Sequence, residues 1–385
     1  MLDKYLISEL FTEQELQSQA MARAFLDAEV IPNIGDWWDQ EIWPDHLVRQ
    51  FGERGFFGVN LPTEYGGGGA GEIVYGLLMY ELERADSGLR SLASVQNSLV
   101  MYPIHRYGSI EQKQNYLPGL AAGQLVGCFG LTEHEGGSDP MAMQARLRYE
   151  GDVCVLNGTK MWISNGNIAD LAIVWAKDDE DIVRGVIVPT DAPGFRANKI
   201  KKKASMRASV TSELVLDDVR VARSYILPEA EGLRAPLSCL TQARYGIAWG
   251  ALGALEAVYT EALAFSRERV TFGNPIASRQ LVQAKLVDMV ADHTKGLLLA
   301  WQLGNLKNQG KLSYTHVSLA KRENVRAALK AARSAREILG ASGITADYSA
   351  IRHMLNLETV DTYEGTYDIH SLIIGREITG HNALT

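Results

Sequence analysis

The sequence contains, near its end, the segment Glu358-Thr-Val-Asp-Thr-Tyr-Glu-Gly-Thr-Tyr-Asp-Ile-His370. Within it Glu364 lies between Tyr363 and Gly365, and an Ile/Leu-rich run follows over residues 371–378. Glycine accepts the backbone dihedrals that end a helix, so we expect Glu364 on a tight turn between two helices. An isolated glutamate at such a turn is usually a solvated charge, so a chemical role for it depends on the rest of the chain.

Composition indicates a large folded chain of two or three domains. It has 385 residues, of which 46% are hydrophobic and 22% are charged, which is enough to bury a large core. The net charge is −8 and the only tight lysine cluster lies at residues 199–203, so nucleic acid is not an expected partner. Three widely separated cysteines, Cys128, Cys154 and Cys239, indicate a reduced intracellular chain without a disulfide framework.

Targeting and metal-binding patterns are not found in the sequence. No secretory apolar region opens it and no apolar run approaches about 18 residues, so we expect a cytoplasmic protein outside the membrane. No CxxC or HExxH spacing occurs among the cysteines and histidines, so we expect no metal site.

Residues 1–125 have the pattern of a helical domain. Thr12 and Glu15 form a capping box, and the helix that they begin is expected to run to near Pro32. Further helical spacing is found at about residues 45–53, 72–85 and 89–100. Four consecutive glycines at residues 66–69 lack the neighbouring strand and GK[ST] of a nucleotide loop, and they predict a flexible connector.

Residues 126–230 have strand patterns, and residues 231–385 are helical again. Asp152–Ile163 is expected to form two short strands joined by a turn at Asn157-Gly158. Other strands at 171–175, 185–188 and 212–216 predict a small β-barrel or sandwich. Long helices at 248–267, 281–309 and 317–339, the last ending at Gly340, predict a helix bundle.

Three segments have residue types that suit a flavin nucleotide. In Gly127-Cys-Phe-Gly-Leu-Thr-Glu-His-Glu-Gly-Gly-Ser-Asp139, glycines permit close backbone approach and two hydroxyls can face a polar ring edge. Trp162-Ile-Ser164 offers an apolar wall and a hydroxyl. Arg269 opens a third segment, and its donors match phosphate oxygens. Taken singly, the alternatives are an ordinary loop, a half-buried strand aromatic and a surface charge.

Together these motifs resemble the acyl-CoA dehydrogenase family, and most closely its glutaryl-CoA dehydrogenase branch. The resemblance covers essentially the whole chain. It implies an α+β multidomain fold, with an N-terminal helical domain at 1–125, a middle β-barrel or sandwich domain at 126–230 and a C-terminal four-helix bundle at 231–385. It also implies FAD as cofactor, an acyl-CoA substrate, an electron-transfer flavoprotein as electron acceptor, and a homotetramer.

The resemblance implies that Glu364 is the catalytic base and that an extended set of residues contacts FAD. The segments at 269–280 and 337–343 would reach the FAD of a neighbouring subunit. The implied FAD contacts are Phe129, Leu131, Thr132, Gly137, Ser138, Trp162, Ile163, Ser164, Arg269, Phe272, Gln280, Glu337, Leu339, Gly340, Thr366 and Asp368.

The segment Glu83–Ser94 would ordinarily be a charged helix surface, but it resembles the part of the glutaryl enzymes that binds the distal carboxylate. Because an unpaired buried arginine is costly, an arginine facing that pocket predicts an acidic substrate. The resemblance implies that Arg90 pairs with this carboxylate. The implied substrate contacts are Glu83, Arg90, Ser91, Ser94, Ser138, Arg244, Tyr363 and Gly365.

The implied reaction has two stages. The base removes the α-proton while the β-hydride passes to FAD, and CO₂ is then lost from the glutaconyl thioester to give crotonyl-CoA. A desolvated carboxylate has a raised pKa and is a better base at neutral pH.

The sequence departs from the family pattern at four places. His134 replaces a proline, Ala341 replaces a glycine, Tyr367 replaces a histidine, and Asn165-Gly-Asn167 replaces Asn-Ser-Pro. The departures at Tyr367 and residues 165–167 leave open an enzyme that does not decarboxylate or that takes another substrate. The alternatives are a dehydrogenase for short or branched monocarboxylic acyl-CoA, a CoA-binding homologue without activity, and an oxidase that uses O₂.

Overall fold

The computed structural model describes residues 2–383, with helices at both ends of the chain and one mixed sheet between them. This order confirms the predicted α+β architecture of a helical, a β and a second helical region. The N-terminal helices are α1 (Glu13–Glu29), α2 (Ile31–Asp39), α3 (His46–Glu53), α4 (Glu72–Ala85), α5 (Ser87–Ser94), α6 (Tyr102–Tyr107) and α7 (Ile110–Ala121).

The first helix begins as the sequence predicts. The backbone N–H of Glu15 donates to Thr12 Oγ1 at 3.3 Å, and the N–H of Thr12 donates to a carboxylate oxygen of Glu15 at 2.7 Å. Helix α2 was not predicted. Pro32 lies in its first turn, where the missing N–H costs no hydrogen bond, so the proline expected to stop one helix instead begins the next.

A π-helical segment, Val95–Met101, joins α5 to α6. Two of its side chains hold neighbouring loops. Gln96 accepts a hydrogen bond from the N–H of Gly127 at 3.0 Å, and Asn97 accepts one from the N–H of Gly58 at 2.6 Å. The segment thereby ties the helical layer to the start of the sheet.

The middle of the chain forms one mixed sheet. Its strands are β1 (Gly127–Gly130), β2 (Arg146–Glu150), β3 (Val153–Ser164), β4 (Leu171–Lys177), β5 (Val183–Pro189), β6 (Phe195–Lys199), β7 (Thr211–Ala222) and β8 (Ile226–Glu231). They follow the spatial order β6-β7-β3-β2-β4-β5-β8, and β1 pairs with β4 in parallel.

The predicted hairpin turn at Asn157-Gly158 is wrong. Val153–Ser164 is one continuous strand whose register against β7 shifts beside Gly158. A Cβ on Gly158 would lie 2.8 Å from Ala145, so the glycine permits close packing rather than a turn. The hairpin turn lies instead between β2 and β3, where Gly151 has a φ of 63°.

The C-terminal region is built around a long helix that packs against α4 and the following helices. This long helix begins at Arg234, well before the predicted residue 248. The helix predicted to stop at Gly340 ends at Leu339, as expected. The elements are α8 (Arg234–Glu268), β9 (Val270–Thr271), β10 (Asn274–Pro275), α9 (Gln280–Asn308), α10 (Tyr314–Leu339), α11 (Ser349–Thr362) and α12 (Tyr367–Thr379). Within residues 2–383 none of the helices is long and apolar enough to cross a membrane.

Candidate active site

Glu364 lies on a left-handed turn between α11 and α12, which confirms the predicted placement. Its φ is 53° and that of Gly365 is 99°. A left-handed conformation costs roughly 1–2 kcal/mol for a residue with a side chain, so the surrounding structure has to offset it. A Cβ on Gly365 would lie 3.0 Å from the ring of His370, which leaves room only for glycine.

Two cations bind the backbone of this turn. Nε of Arg244 donates to the Glu364 carbonyl at 2.6 Å. Nζ of Lys321 donates to the carbonyls of Gly365 at 2.6 Å and Tyr363 at 3.0 Å. Sequence analysis missed Lys321, because a lysine inside a periodic helix has the appearance of a surface charge.

The Glu364 carboxylate is placed to act as a base. Burial raises its pKa, and the cations of Arg90, Arg244 and Lys321 act in the opposite direction without cancelling that effect. Its Oε2 atom is inaccessible to solvent and has no hydrogen-bond partner in residues 2–383. A desolvated carboxylate oxygen of this kind is free to accept a proton from a substrate.

His370 was also missed as a site residue, although it lies directly beneath the turn. The side chain is fully buried, and burial lowers its pKa to about 3. Neither ring nitrogen has a hydrogen-bond partner in the part of the chain that the structure describes. The imidazole is therefore neutral at physiological pH.

Arg90 and Glu83 form a buried ion pair beside the turn. Nε of Arg90 lies 2.7 Å from a Glu83 carboxylate oxygen, and the side chains are 1% and 0% exposed. Nη2 of Arg90 also donates to the Tyr363 hydroxyl. The chain itself therefore supplies a counter-charge to Arg90, which the sequence analysis placed in the same pocket as Glu83 without pairing the two.

The remaining predicted substrate residues divide into two groups. Ser91 and Ser94 are buried on α5 near Arg90, and the Ser94 hydroxyl has no hydrogen-bond partner within residues 2–383. Ser138 is exposed, in the loop after β1. The N-terminus of α5 is fixed by Asp86, which accepts from the N–H of Gly88 at 2.7 Å.

Two of the three predicted flavin segments, those around residues 127–139 and 162–164, meet on the sheet. Phe129 and Leu131 are buried at the end of β1, and Ile163 is buried near the end of β3. Trp162 has a φ of 64° at a register shift, and this turns its ring outward so that it is 59% exposed. A buried ion pair lies under these segments and involves two residues that were not predicted: Nζ of Lys160 is 2.7 Å from Glu133.

Other predicted flavin residues lie apart from Glu364. Three exposed residues follow α8 or begin α9: Arg269, Phe272 and Gln280. At the end of α10, Glu337 pairs with Lys285 at 2.9 Å, Leu339 is buried and Gly340 is exposed. The structure does not bring these six residues into hydrogen-bonding contact with the turn.

The last three predicted flavin residues lie in the loop after β1 and at the start of α12. Gly137 is exposed in that loop, Thr366 caps α12 by accepting from the N–H of Ile369 at 3.2 Å, and Asp368 is exposed.

Tyr367, one of the departures, faces α10 rather than the base. Its ring lies against the guanidinium groups of Arg322 and Arg326, with Cζ at 4.0 and 4.1 Å from the ring centroid. Arg326 also pairs with Asp361 at 3.1 Å. The tyrosine thus packs on the outer side of the turn.

The three regions of the chain each match a family model. These are the N-terminal domain of acyl-CoA dehydrogenase over residues 12–124, the middle domain over 128–219 and the C-terminal domain over 230–379. The chain therefore belongs to the acyl-CoA dehydrogenase family.

Individual relatives differ in the substrate that their names indicate. A solved glutaryl-CoA dehydrogenase from Mycobacterium smegmatis, in complex with FADH₂, is 49% identical with a TM-score of 0.98, over 100% of this chain and 99% of that one. The Bacillus subtilis acyl-CoA dehydrogenase is 33% identical, over 96% of this chain and 99% of its own. The human mitochondrial short-chain specific acyl-CoA dehydrogenase is 33% identical, over 91% of this chain and 87% of its own.

Proposed function

We propose that the chain is an FAD-dependent glutaryl-CoA dehydrogenase that converts glutaryl-CoA to crotonyl-CoA and CO₂. The observation that supports this most directly is the proximity of a buried base to a buried cation, since Arg90 hydrogen-bonds Tyr363, the neighbour of Glu364. A dicarboxylic thioester needs a base at its α-carbon and a cation at its distal carboxylate. The proposal includes a homotetramer, the domain bounds 1–125, 126–230 and 231–385, and an electron-transfer flavoprotein as acceptor.

The residues on the sheet fit a flavin. Thr132 and Ser138 lie in the loop after β1 and Ser164 ends β3, and their hydroxyls are donors of the kind that a polar flavin edge needs. Trp162 lies within β3 and exposes its indole ring to solvent. FAD, held by these residues, would supply the hydride acceptor.

The protein's part in the first stage is to remove the α-proton. Oε2 of Glu364 has no competing hydrogen bond, so its lone pairs are available to the substrate. The raised pKa of this carboxyl brings its basicity closer to what the weakly acidic α-carbon of a thioester requires. The rigid turn holds the carboxylate in one orientation, which lowers the entropy cost of reaching the transition state.

The second stage is loss of CO₂. Once the α,β double bond has formed, cleavage of the bond between the γ-carbon and the carboxylate leaves its electron pair in a dienolate conjugated with the thioester. Glu364, protonated in the first stage, returns that proton to carbon and gives crotonyl-CoA. Excluding water from the turn would favour this return over exchange of the proton with solvent.

The Arg90–Glu83 pair is compatible with an acidic substrate. A guanidinium has five N–H donors, and the bonds to Glu83 and Tyr363 use only two of them. The remaining donors can bind a substrate carboxylate in a bidentate manner. The buried hydroxyl of Ser94, which has no partner within the described residues, is a further donor on the same helix.

A second candidate function is α,β-dehydrogenation of a short monocarboxylic acyl-CoA without decarboxylation. The same ion pair supports it, because Glu83 already balances the charge of Arg90 and no substrate carboxylate is needed for neutrality. The two candidates differ in the product formed.

Product analysis tests the proposal. The purified protein is incubated with glutaryl-CoA or butyryl-CoA and an artificial one-electron acceptor, and the CoA esters are resolved by mass. Crotonyl-CoA from glutaryl-CoA is the expected result. Glutaconyl-CoA alone would contradict decarboxylation, and consumption of butyryl-CoA with glutaryl-CoA unchanged would favour the second candidate. Replacing the artificial acceptor with an electron-transfer flavoprotein then tests the proposed partner.

A further inference from the structure

We propose that Lys321 is a positioning residue for Glu364, which holds the catalytic turn by donating hydrogen bonds to its backbone carbonyls. This inference rests on the proposed function, because it assigns Lys321 a part in the same proton abstraction. Lys321 lies on α10, far from Glu364 in sequence, and its side chain is 1% exposed.

The first step of the argument is the choice of acceptors. Nζ of Lys321 lies 2.6 Å from the Gly365 carbonyl and 3.0 Å from that of Tyr363, with a longer contact of 3.5 Å to that of Asp361. All are backbone oxygens. An ammonium has three N–H donors, so one side chain can satisfy the whole set.

The second step concerns the position of these carbonyls. They lie at and just beyond the end of α11, where the last carbonyls of a helix have no intrahelical partners and where a cation is favoured. Arg244 holds the carbonyl of Glu364 between them. Lys321 on α10 therefore holds the backbone on both sides of Glu364, and Arg244 on α8 holds the backbone carbonyl of Glu364 itself.

The third step is the cost of the arrangement. Burying a cation without a carboxylate directly bonded to it is unfavourable, and burial lowers the pKa of Lys321 to about 7. The turn is itself strained, since Glu364 adopts a positive φ. The burial of Lys321 against the carbonyls of Tyr363 and Gly365 is explained if the lysine holds Glu364 in the left-handed conformation that directs its carboxylate toward the substrate.

Lys321 also acts on Glu364 through charge. It is one of three cations that act to lower the Glu364 pKa, so its removal would move the pKa further up. The charged and titratable groups that influence Lys321 come from α5, α8, α11, the turn and α12. They are Arg90, Arg244, Asp361, Glu364 and His370.

The test compares Lys321→Met, which keeps length without donors, with Lys321→Gln, which keeps neutral donors. Lys330→Met, an exposed position on the same helix, is the control. We expect Lys321→Met to retain FAD and to bind acyl-CoA within about threefold of wild type, while flavin reduction at saturating substrate slows about 10- to 100-fold. We expect its rate-against-pH profile to shift to higher pH, and Lys321→Gln to recover part of the rate. Lys330→Met should match wild type.

A rate within twofold of wild type for Lys321→Met, with an unshifted pH profile, would overturn the inference. If Lys321→Met does not fold, the same criteria apply to Lys321→Gln, which should be slower than wild type with a profile shifted to higher pH. Butyryl-CoA is used alongside glutaryl-CoA, so an error in the proposed substrate does not affect the comparison. Amide hydrogen exchange of the 361–370 peptide gives a readout independent of catalysis. It should accelerate in the Lys321 variants and not in Lys330→Met, and unchanged exchange would also refute the inference.

Discussion

Glu83 accepts a hydrogen bond from Nε of Arg90 at 2.7 Å, and neither side chain is more than 1% exposed. Each charge is buried, so removing one leaves the other without a partner, at a cost of about 3–5 kcal/mol. Two effects of the pair can therefore be separated by experiment: breaking it should destabilise the packing of α5 on α4, and, under the proposed function, its net charge is what a substrate encounters.

Replacing Arg90 with alanine should lower the kcat/KM for glutaryl-CoA much more than the kcat/KM for butyryl-CoA. The lost charge-assisted hydrogen bonds to a carboxylate correspond to roughly 10- to 100-fold in affinity, whereas the monocarboxylic substrate has no such group. The measurement is the kcat/KM for both thioesters. Arg333→Ala, which removes an arginine from an exposed pair with Glu358, is the control. An equal loss of kcat/KM for both thioesters would show that Arg90 does not bind the distal carboxylate.

Gly250 on α8 provides an indirect way to disturb the pair. A Cβ on this glycine would overlap the Glu83 carboxylate, so Gly250→Ala should displace Glu83 and change the ratio of glutaryl-CoA to butyryl-CoA activity. A Cβ at Gly375 on α12 meets no atom within 4 Å, which makes Gly375→Ala the matched control. If both variants keep the wild-type ratio, the position of Glu83 does not set specificity.

Glu364→Gln should abolish flavin bleaching by substrate while FAD stays bound. Glutamine keeps the size of the side chain but cannot take up a proton at neutral pH, and the rate constant of flavin reduction should fall by at least about 10³-fold. Anaerobic stopped-flow absorbance measures it, and the visible flavin spectrum reports FAD occupancy. Persistent turnover would show that another group is the base.

Lys160→Met should reduce FAD occupancy and thermal stability together. Nζ of Lys160 bonds both the Glu133 carboxylate at 2.7 Å and the Leu131 carbonyl at 3.1 Å, so its removal loosens the proposed flavin loop and leaves the buried Glu133 carboxylate without a counter-charge. Flavin content per chain and the unfolding midpoint are measured beside Lys201→Met, an exposed lysine of the same region. Normal values for both quantities would contradict a role in supporting the loop.

The buried histidine His293 should make the protein sensitive to mild acid. Burial lowers its pKa to about 4 from an ordinary value of 6.5, so the unfolded chain binds more protons between these two pH values. Above about pH 6.5 the histidine is neutral in both states and does not reduce the free energy of unfolding. As the pH falls toward 4, the unfolded chain takes up a proton that the folded chain does not, and the free energy of unfolding decreases. At pH 5 the loss is about 2 kcal/mol.

The unfolding midpoints of wild type and His293→Gln at pH 7.5 and 5.0 measure this contribution. Glutamine retains an amide that can replace the ring nitrogen lying 2.8 Å from the Tyr80 hydroxyl. The decrease in midpoint between the two pH values should be smaller in the variant, and equal decreases would argue against the histidine as a source of acid sensitivity.

Sequence analysis predicted the elements whose signals are local. The capping box of α1 and the turn at Glu364 follow from residues within a few positions of one another. The errors came from long-range packing. Gly158 looks like a turn residue until Ala145, which lies just ahead of the neighbouring strand β2, is placed opposite it, and Glu83 was not recognised as the counter-ion of Arg90. Lys321 gave no usable signal, because its acceptors are backbone groups that only the folded chain brings near.

The π-helical segment Val95–Met101 has a consequence for how this gene can vary. A single-codon deletion there would still allow a continuous helix, but every later residue of that helix would rotate by about 100° relative to those before it. A deletion ahead of Gln96 and Asn97 would take both side chains out of alignment with the N–H groups of Gly127 and Gly58, and a deletion behind them would rotate α6 instead. We therefore expect single-residue deletions within this segment to be excluded from variants of the sequence that keep the fold.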